Sequence, residues 1–259
     1  MPSELHTDRR DSTLVLTISD PGSRNTLSEQ VFAAGVEALE VVESDPEVRC
    51  IVLRGDGDHF CAGGNLQKLH ANRKVLSDAQ DQLLQRFHDF IEVLRVFPKP
   101  VIAAVEGTAS GAGFALALGC DLIVAAENAE FSFSQGLAGL SPDGGASWHL
   151  MQRVPRGLVL QWMWLSESIT AQQLHTHGLV HWLSGHGRAL DRALQIGARL
   201  AQCAPNAVAS TKELINHWPE RSLGQQLDAE RTLFLDNLSH ANGGEGLQAF
   251  LEQRPPHFR

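Results

Sequence analysis

The sequence has 259 residues, of which 43% are hydrophobic and 20% charged, with a formal net charge of −9. This length is sufficient for one large domain with its own apolar core, or for one domain with an appendage. The acidic balance and the lack of a Lys/Arg cluster argue against nucleic acid and anionic membranes as partners. Widely spaced cysteines, a polar N-terminus and no apolar run of transmembrane length predict a reduced, cytoplasmic protein.

The hydrophobic pattern predicts that strands and helices alternate through the first two-thirds of the chain. In chain order, the predicted elements are a strand at 13–18, a helix at 29–45, a strand at 48–55, a helix at 65–74, a long helix at 76–97, a strand at 100–107, a helix at 111–119 and two short strands within 120–133. Ser28 and Asn65 are predicted to cap the helices that follow them. From Ile169 onward the pattern is almost entirely helical, so the order predicts an α/β core followed by a helical region.

Glycine-rich stretches raise the question of nucleotide binding. GTASGAGFALALG lacks the pattern G-x-G-x-x-G, and no G-x-x-x-x-G-K-[ST] occurs, which excludes the Rossmann and P-loop fingerprints. The residues around Ser110 lack G-x-S-x-G, which excludes the nucleophile elbow of serine hydrolases.

Two loops remain that each follow a predicted strand and enter a helix with almost no side chains. They are CAGGN at 61–65 and SGAG at 110–113. Small residues at a helix start leave backbone N–H groups accessible, and the helix dipole adds positive potential there. Two such N–H groups aimed at one point would form an oxyanion hole.

These loops and the segments around them resemble the crotonase (enoyl-CoA hydratase/isomerase) superfamily over nearly the whole chain. The matching segments are SRNTLS, HFCAGGNLQKL, KPVIAAVEGTASGAGFALALGCDLIVAAENAEFSF, GLSPDGGAS, ITAQQLHTHGLV and GLQAFLEQRPPHF. The resemblance implies a spiral of repeated ββα units at 1–198 that binds the CoA thioester and carries catalysis, and a C-terminal helical oligomerisation domain at 199–259. It also implies a homotrimer or homohexamer, an acyl-CoA thioester as substrate, and no cofactor beyond the CoA moiety of that substrate.

The resemblance also assigns individual positions. The backbone N–H groups of Gly64 and Ala112 match the oxyanion donors of the family. Three residues match its CoA loop: Ala62, Asn65 and Leu66. Arg24 matches a basic residue near the CoA phosphates, although an ordinary solvated arginine is an equally good interpretation of it.

The acid/base residues depart from the hydratase pattern. Hydratases of this family carry two glutamates, and the matching positions here are Ala115 and Gln135, neither of which can transfer a proton. Asp143 matches the aspartate of several family isomerases, in which a single carboxylate moves a proton between two carbons. Burial beside Leu140 would raise its pKa toward a useful value. The alternative is a turn residue after Pro142, because P-D-G is typical turn chemistry.

Other interpretations stay open. The protein could be an enoyl-CoA hydratase, an aryl-CoA dehalogenase-like enzyme in which His88 assists a nucleophilic Asp143, or an acyl-CoA binder without turnover. The histidines of HTHGLVHWLSGHG are interpreted as part of a solvated loop, and no metal site is predicted. The acyl group is not readable from the segments expected to line its pocket, 68–84 and 131–140.

Overall fold

The computed structural model describes residues 3–73 and 77–259. The predicted end of one helix at Lys74 and the predicted start of the next at Leu76 lie outside the described residues, as do Val75 and part of the segment expected to line the acyl pocket. Among the residues described, no helix is both long and apolar enough to cross a bilayer.

Strands and helices alternate as the sequence pattern predicts. The strands are β1 Glu4–Arg10, β2 Thr13–Ser19, β3 Cys50–Gly55, β4 Val101–Val105, β5 Thr108–Ser110, β6 Leu122–Ala126, β7 Glu130–Ser132, β8 Ile169–Thr170 and β9 Trp182–Ser184. The helices are α1 Glu29–Glu43, α2 Leu66–Asn72, α3 Ser77–Val96, α4 Ala112–Gly119, α5 Ala146–Met151, α6 Arg156–Leu165, α7 Ala171–Thr176, α8 Ala189–Leu200, α9 Pro205–His217, α10 Leu223–Ser239 and α11 Ala241–Leu251, with short 3₁₀ turns at Pro21–Ser23 and Trp218–Glu220. The predicted α/β class is confirmed.

The larger sheet has six strands in the order β1-β2-β3-β4-β6-β9. Neighbouring strands are parallel except for the antiparallel pair β1 and β2. Its central strands are covered on both faces, which is why their sequences are continuous apolar runs. On one face α8 packs its Ala189, Ala193 and Ile196 against Val52 and Ile102, while α1, α3 and α4 pack on the other face.

The smaller sheet has three strands in the order β5-β7-β8. A parallel bridge joins Cys61, in the loop after β3, to Ala109 in β5. Gly111 N–H, directly after β5, donates to Ser132 O at the end of β7 (2.9 Å). These links bring the loops after β3, β5 and β7 to one edge of the molecule, where the candidate site lies.

Three features differ from the sequence-based prediction. The segment that forms β1 was expected only as a polar N-terminus, but it pairs along its whole length with β2 at the exposed edge of the sheet. Two short strands, β8 and β9, interrupt the region expected to be helical. Residue 198 lies inside α8, which packs on the sheet, so a division into 1–198 and 199–259 remains a proposal whose boundary would cut a helix.

Candidate active site

The first glycine-rich loop is held by backbone hydrogen bonds to distant segments. Cys61 N–H donates to Thr108 O (3.1 Å), Ala62 N–H donates to Arg24 O (2.9 Å), and Gly63 O accepts from Leu27 N–H (2.8 Å). Gly64 N–H, in contrast, has no hydrogen-bond acceptor among residues 3–73 and 77–259. This N–H is therefore a fixed donor that is available to a ligand.

The second loop presents a similar donor at the start of α4. Gly111 has φ +53°, a conformation that favours glycine, and no side chain caps the helix. Ala112 N–H occupies the first helical position, where an α-helix offers no internal partner, and within the described part of the chain it has no acceptor. A Cβ built on Gly63 would lie 2.6 Å from Ser110 O and 3.2 Å from Ala112 N, so the two loops are in direct contact.

Glycine at position 113 is required by the packing between these loops. A Cβ there would overlap the carbonyl oxygen of Cys61 and lie 2.8 Å from its Sγ. We expect Gly113→Ala to lower the free energy of unfolding by about 1–3 kcal/mol, the usual cost of overpacking. Gly157→Ala in α6 is the matched control, because a Cβ at Gly157 meets nothing within 4 Å, and it should raise stability slightly. Urea denaturation of both variants checks this, and equal stabilities would contradict it.

The two loops open into a cleft of about 540 Å³. Six predicted site residues line it: Ala62, Gly64, Asn65, Leu66, Ala112 and Asp143. Among the described residues that line the cleft, Asp143 alone carries an ionisable side chain. Among these described residues, Asp143 is therefore the side chain that can transfer a proton inside the cleft.

Asp143 is half-buried and is oriented by a neighbour. Gln135 Nε2 donates to Asp143 Oδ1 (3.3 Å). Burial raises the pKa of the Asp143 carboxyl above its ordinary value, while the hydrogen bond from Gln135, the nearby His88 and the backbone N–H of Asp143 itself act in the opposite direction. A carboxylate with a raised pKa is better matched to proton exchange with carbon than a solvated one.

The residues predicted to bind CoA are placed differently from one another. Asn65 caps α2 by accepting from Lys68 N–H (3.0 Å), and Leu66 is exposed at the rim of the cleft. The Arg24 carbonyl supports the first loop, but its exposed side chain does not line the cleft. Ala62, Asn65 and Leu66 thus line the cleft, whereas Arg24 does not.

The positions of the two missing glutamates have different surroundings. Ala115 is fully buried, and a Cβ at Gly144 would lie 2.9 Å from its Cβ, so the core leaves little room there for a longer side chain. Gln135, at the position of the second hydratase glutamate, lines the cleft. Its bond to Asp143 was missed because it joins residues eight positions apart through an irregular loop. The one signal was a long polar side chain among small and apolar residues.

His88 faces a neighbouring cavity of about 320 Å³, which Gly144, Gly145 and Trp148 also line. It acts electrostatically on Asp143, yet it is not among the residues that line the main cleft. The dehalogenase arrangement would need His88 to reach the reacting atoms, whereas His88 lines a cavity whose lining does not include Asp143.

The histidines near the end of α7 form hydrogen bonds within the fold. His175 Nδ1 bonds with Val180 O (2.8 Å), and His181 Nδ1 accepts from Ile123 N–H (2.9 Å). In the part of the chain that the structure describes, no group of three or more His, Cys, Asp or Glu side chains is placed to hold a metal ion.

Comparison with known proteins supports the resemblance seen in the sequence. The family model described as enoyl-CoA hydratase/isomerase matches residues 8–259. The chain is 34% identical to the 2,3-dehydroadipyl-CoA hydratase of Escherichia coli, with 99% of each chain covered. It is 32% identical to the 1,2-epoxyphenylacetyl-CoA isomerase of the same organism, covering 95% of this chain and 94% of that one.

Solved structures extend the similarity to the fold. A crystal structure of an enoyl-CoA hydratase from Polaromonas sp. JS666 superposes with a TM-score of 0.97 at 49% identity, covering 99% of this chain and 100% of that one. The similar proteins thus include both hydratases and an isomerase.

Proposed function

The chain belongs to the enoyl-CoA hydratase/isomerase family, and from this we propose that it is an enoyl-CoA isomerase that shifts a double bond with Asp143 as its single acid/base. The observation that carries the proposal is the composition of the cleft. Asp143 is its one ionisable side chain within the described residues, and the positions of the two hydratase glutamates hold Ala115 and Gln135.

The chemistry follows from these groups. Asp143 removes a proton from C2 of a 3-enoyl-CoA, and the electron pair moves through the thioester to give a dienolate. Gly64 N–H and Ala112 N–H hold the negative charge on the carbonyl oxygen. Asp143 then returns the proton to C4, which forms the conjugated 2-enoyl-CoA. No water is consumed, so one carboxylate is sufficient.

Binding of the CoA portion is assigned to the rim of the first loop. This assignment is supported by Ala62, Asn65 and Leu66, which line the cleft. Arg24 supplies a positive charge on the chain segment to which this loop is bonded, where an extended CoA would bring its phosphates. The reaction needs no cofactor beyond the CoA moiety of the substrate.

The protein is proposed to assemble as a homotrimer or homohexamer. The C-terminal helices leave large apolar side chains exposed: Phe250 is 82% and Leu251 81% accessible, and Phe234, Leu235 and Leu238 on α10 are also exposed. Apolar surface of this extent is typical of an interface. Light scattering on the purified protein should give three or six times the mass of one chain, and a monomer over the whole concentration range would contradict the assignment.

The function is tested by incubating the purified protein with a 3-enoyl-CoA and following the absorbance of the conjugated 2-enoyl thioester. A rise that needs the protein supports the isomerase. If there is no rise although the thioester binds, the proposal is wrong, and the protein is then a binder or acts on another thioester, such as an aryl-CoA halide.

A further inference from the structure

The first strand of the larger sheet, β1, leaves one edge unpaired. It has a neighbour on one side only, where it pairs with β2. All its residues are exposed except Leu5, which is half-buried. An exposed strand edge offers a row of backbone donors and acceptors with which another strand can pair. What this edge can bind depends on which of its groups face outward.

The turn between β1 and β2 fixes the backbone groups that face outward. The two turn residues, Asp11 and Ser12, are adjacent in the chain, so the residues that flank them, Arg10 and Thr13, form a hydrogen-bonded pair. The register continues from this pair without a bulge, and hydrogen-bonded pairs alternate with others along an antiparallel ladder. The residues whose N–H and C=O groups face away from β2 are therefore Leu5, Thr7 and Arg9. Within the residues that the structure describes, these groups have no hydrogen-bond partner.

A second copy of β1 fits this edge in one antiparallel register. In that register the two Thr7 residues lie opposite each other on a two-fold axis, and Leu5 of each copy lies opposite Arg9 of the other. Every outward N–H and C=O of both strands then has a partner, as in the hydrogen-bonded pairs of an antiparallel ladder. Pairing of two edge strands in this way joins two sheets into one.

The remaining side chains of β1 are complementary in the same register. Glu4 of each copy lies opposite Arg10 of the other, and His6 lies opposite Asp8. These are the non-hydrogen-bonded positions, where side chains on facing strands come closest, and opposite charges there stabilise the pairing. His6 can donate an N–H to the carboxylate whether its ring is neutral or protonated. Each carboxylate on this face therefore has a donor opposite it.

Shifted registers are unfavourable, which makes the pairing specific. A shift of two residues places Glu4 opposite Asp8 in one direction, and the two Asp8 side chains opposite each other in the other direction. Like charges at facing positions destabilise a strand pair. A shift of one residue directs the outward groups of one strand at residues of the other that already bond to β2. Charges on an edge strand usually prevent edge-to-edge pairing, but here they oppose the shifted registers and favour one.

The ion pairs that β1 already makes within the chain leave these positions available. Arg10 Nε lies 2.9 Å from Asp8 Oδ2, and Arg9 Nη2 lies 3.3 Å from Glu47 Oε2. All four side chains are largely exposed, and surface pairs of this kind contribute little to stability. The guanidinium of Arg10 has five donors, so it can keep its contact with Asp8 and also bind Glu4 of a second copy.

We propose that two chains associate through β1, with their Thr7 residues on a two-fold axis, so that the two six-stranded sheets become continuous. A cyclic trimer has no two-fold axis, so the contact joins chains of different trimers. Two trimers held together by β1 pairs form a hexamer, which selects the homohexamer from the two assemblies proposed above. The hexamer rests on the proposed trimer, whereas the β1 contact itself depends on neither the trimer nor the isomerase.

The first test removes the outward N–H at the two-fold axis. Thr7→Pro deletes a donor that faces away from β2, so the hydrogen bonds between β1 and β2 are kept, and proline is tolerated at such edge positions. Thr7→Val is the matched control, because it has a similar shape and keeps the N–H. By light scattering we expect the mass of six chains for the wild type and Thr7→Val, and half that mass for Thr7→Pro. A wild type of three chains or one, or a Thr7→Pro variant with unchanged mass, would overturn the contact.

Exchange of charges tests the register with variants that keep every backbone group. Glu4→Arg places two arginines opposite each other and should reduce the hexamer to trimers. Adding Arg10→Glu to the same chain restores opposite charges and should restore the hexamer. Both residues are exposed, so the fold of each chain should be little affected, which thermal unfolding checks. An unchanged mass for Glu4→Arg, or no recovery in the double variant, would show that this register is wrong.

Disulfide formation locates the two-fold axis. In a Cys203→Ser background, which removes the exposed cysteine, Thr7→Cys should cross-link two chains, because facing Cα atoms about 5.5 Å apart are within disulfide range. Glu4→Cys should not, because its two copies lie about 20 Å apart along the paired strands. No cross-link through Thr7→Cys, or equal cross-linking through both, would overturn the proposal.

These outcomes separate the β1 contact from the other proposals. A wild type of two chains that Thr7→Pro reduces to one would refute the trimer and support the contact. None of the three measurements requires turnover, so each can be interpreted whether or not the isomerase assay succeeds.

Discussion

Replacing Asp143 by asparagine is expected to lower kcat for double-bond isomerisation by about 10²- to 10⁴-fold, the range contributed by a positioned acid/base group. The amide is close in shape to the carboxyl group and can still accept from Gln135 Nε2, but it cannot take a proton from carbon. Because the oxyanion donors are unchanged, KM should change by no more than about threefold. Steady-state kinetics on a 3-enoyl-CoA gives both constants.

The pH dependence of the same reaction gives an independent check. The base must be ionised, so kcat of the wild type should fall as pH decreases through the pKa of Asp143. Burial raises that pKa, which places the acid limb above the value of about 3.9 expected for a solvated aspartate. The residual rate of Asp143→Asn should lack this limb.

A suitable control is Asp228→Asn, which removes an exposed carboxylate on α10 that pairs with Arg231 three residues later. Surface pairs of this kind contribute little to stability, and α10 does not line the cleft. Its kinetics should match the wild type. Full activity of Asp143→Asn, with an unchanged acid limb, would show that another group is the base.

The second large effect concerns the oxyanion donors. Gly64→Pro deletes one N–H, and we expect kcat to fall by about 10²- to 10³-fold, as when one donor of an oxyanion hole is removed. The substitution breaks no hydrogen bond of the protein, because Gly64 N–H makes no bond within the described chain.

Gly64→Ala is the matched control for this substitution. A Cβ at Gly64 would meet only Leu69 Cδ1, at 3.7 Å, an ordinary contact, and the N–H is kept. The alanine variant should retain most of the activity. If both variants lose activity equally, crowding rather than donor loss is the cause. Thermal unfolding of both variants shows whether the proline variant is folded when its kcat is measured.

The fold was predictable for those elements that are determined by their own residues and not by distant contacts. Central strands such as β3 and β4 are buried on both faces, so their composition alone indicates them. Ser28 and Asn65 accept from the N–H three residues later, as cap chemistry predicts. β1 was missed because an exposed edge strand is stabilised by backbone pairing and has no apolar face to reveal it. β9, with three half-buried residues, is too short to have a pattern.

The site was predictable in part for a similar reason. The two loops could be proposed from their small residues, because a bare N–H at a helix start depends on composition. The bond between Gln135 and Asp143 could not, since it depends on the path of residues 136–142 between them. Nor could the separation of Arg24 from the cleft, because the backbone of Arg24 bonds to the loop while Arg24, with an exposed side chain, is not among the residues that line the cleft.

The bonding of the first loop has a consequence for how this enzyme could be redesigned. Carbonyl and amide groups of Arg24, Leu27 and Thr108 hold that loop to distant segments through main-chain hydrogen bonds. The groups that we propose to determine the reaction belong to a different segment, 134–143, whose residues between Gln135 and Asp143 are exposed. Side chains in that segment can be exchanged without altering the scaffold that holds the thioester oxygen. A library confined to Gln135 and its exposed neighbours would therefore sample new thioester reactions on an unchanged activation site.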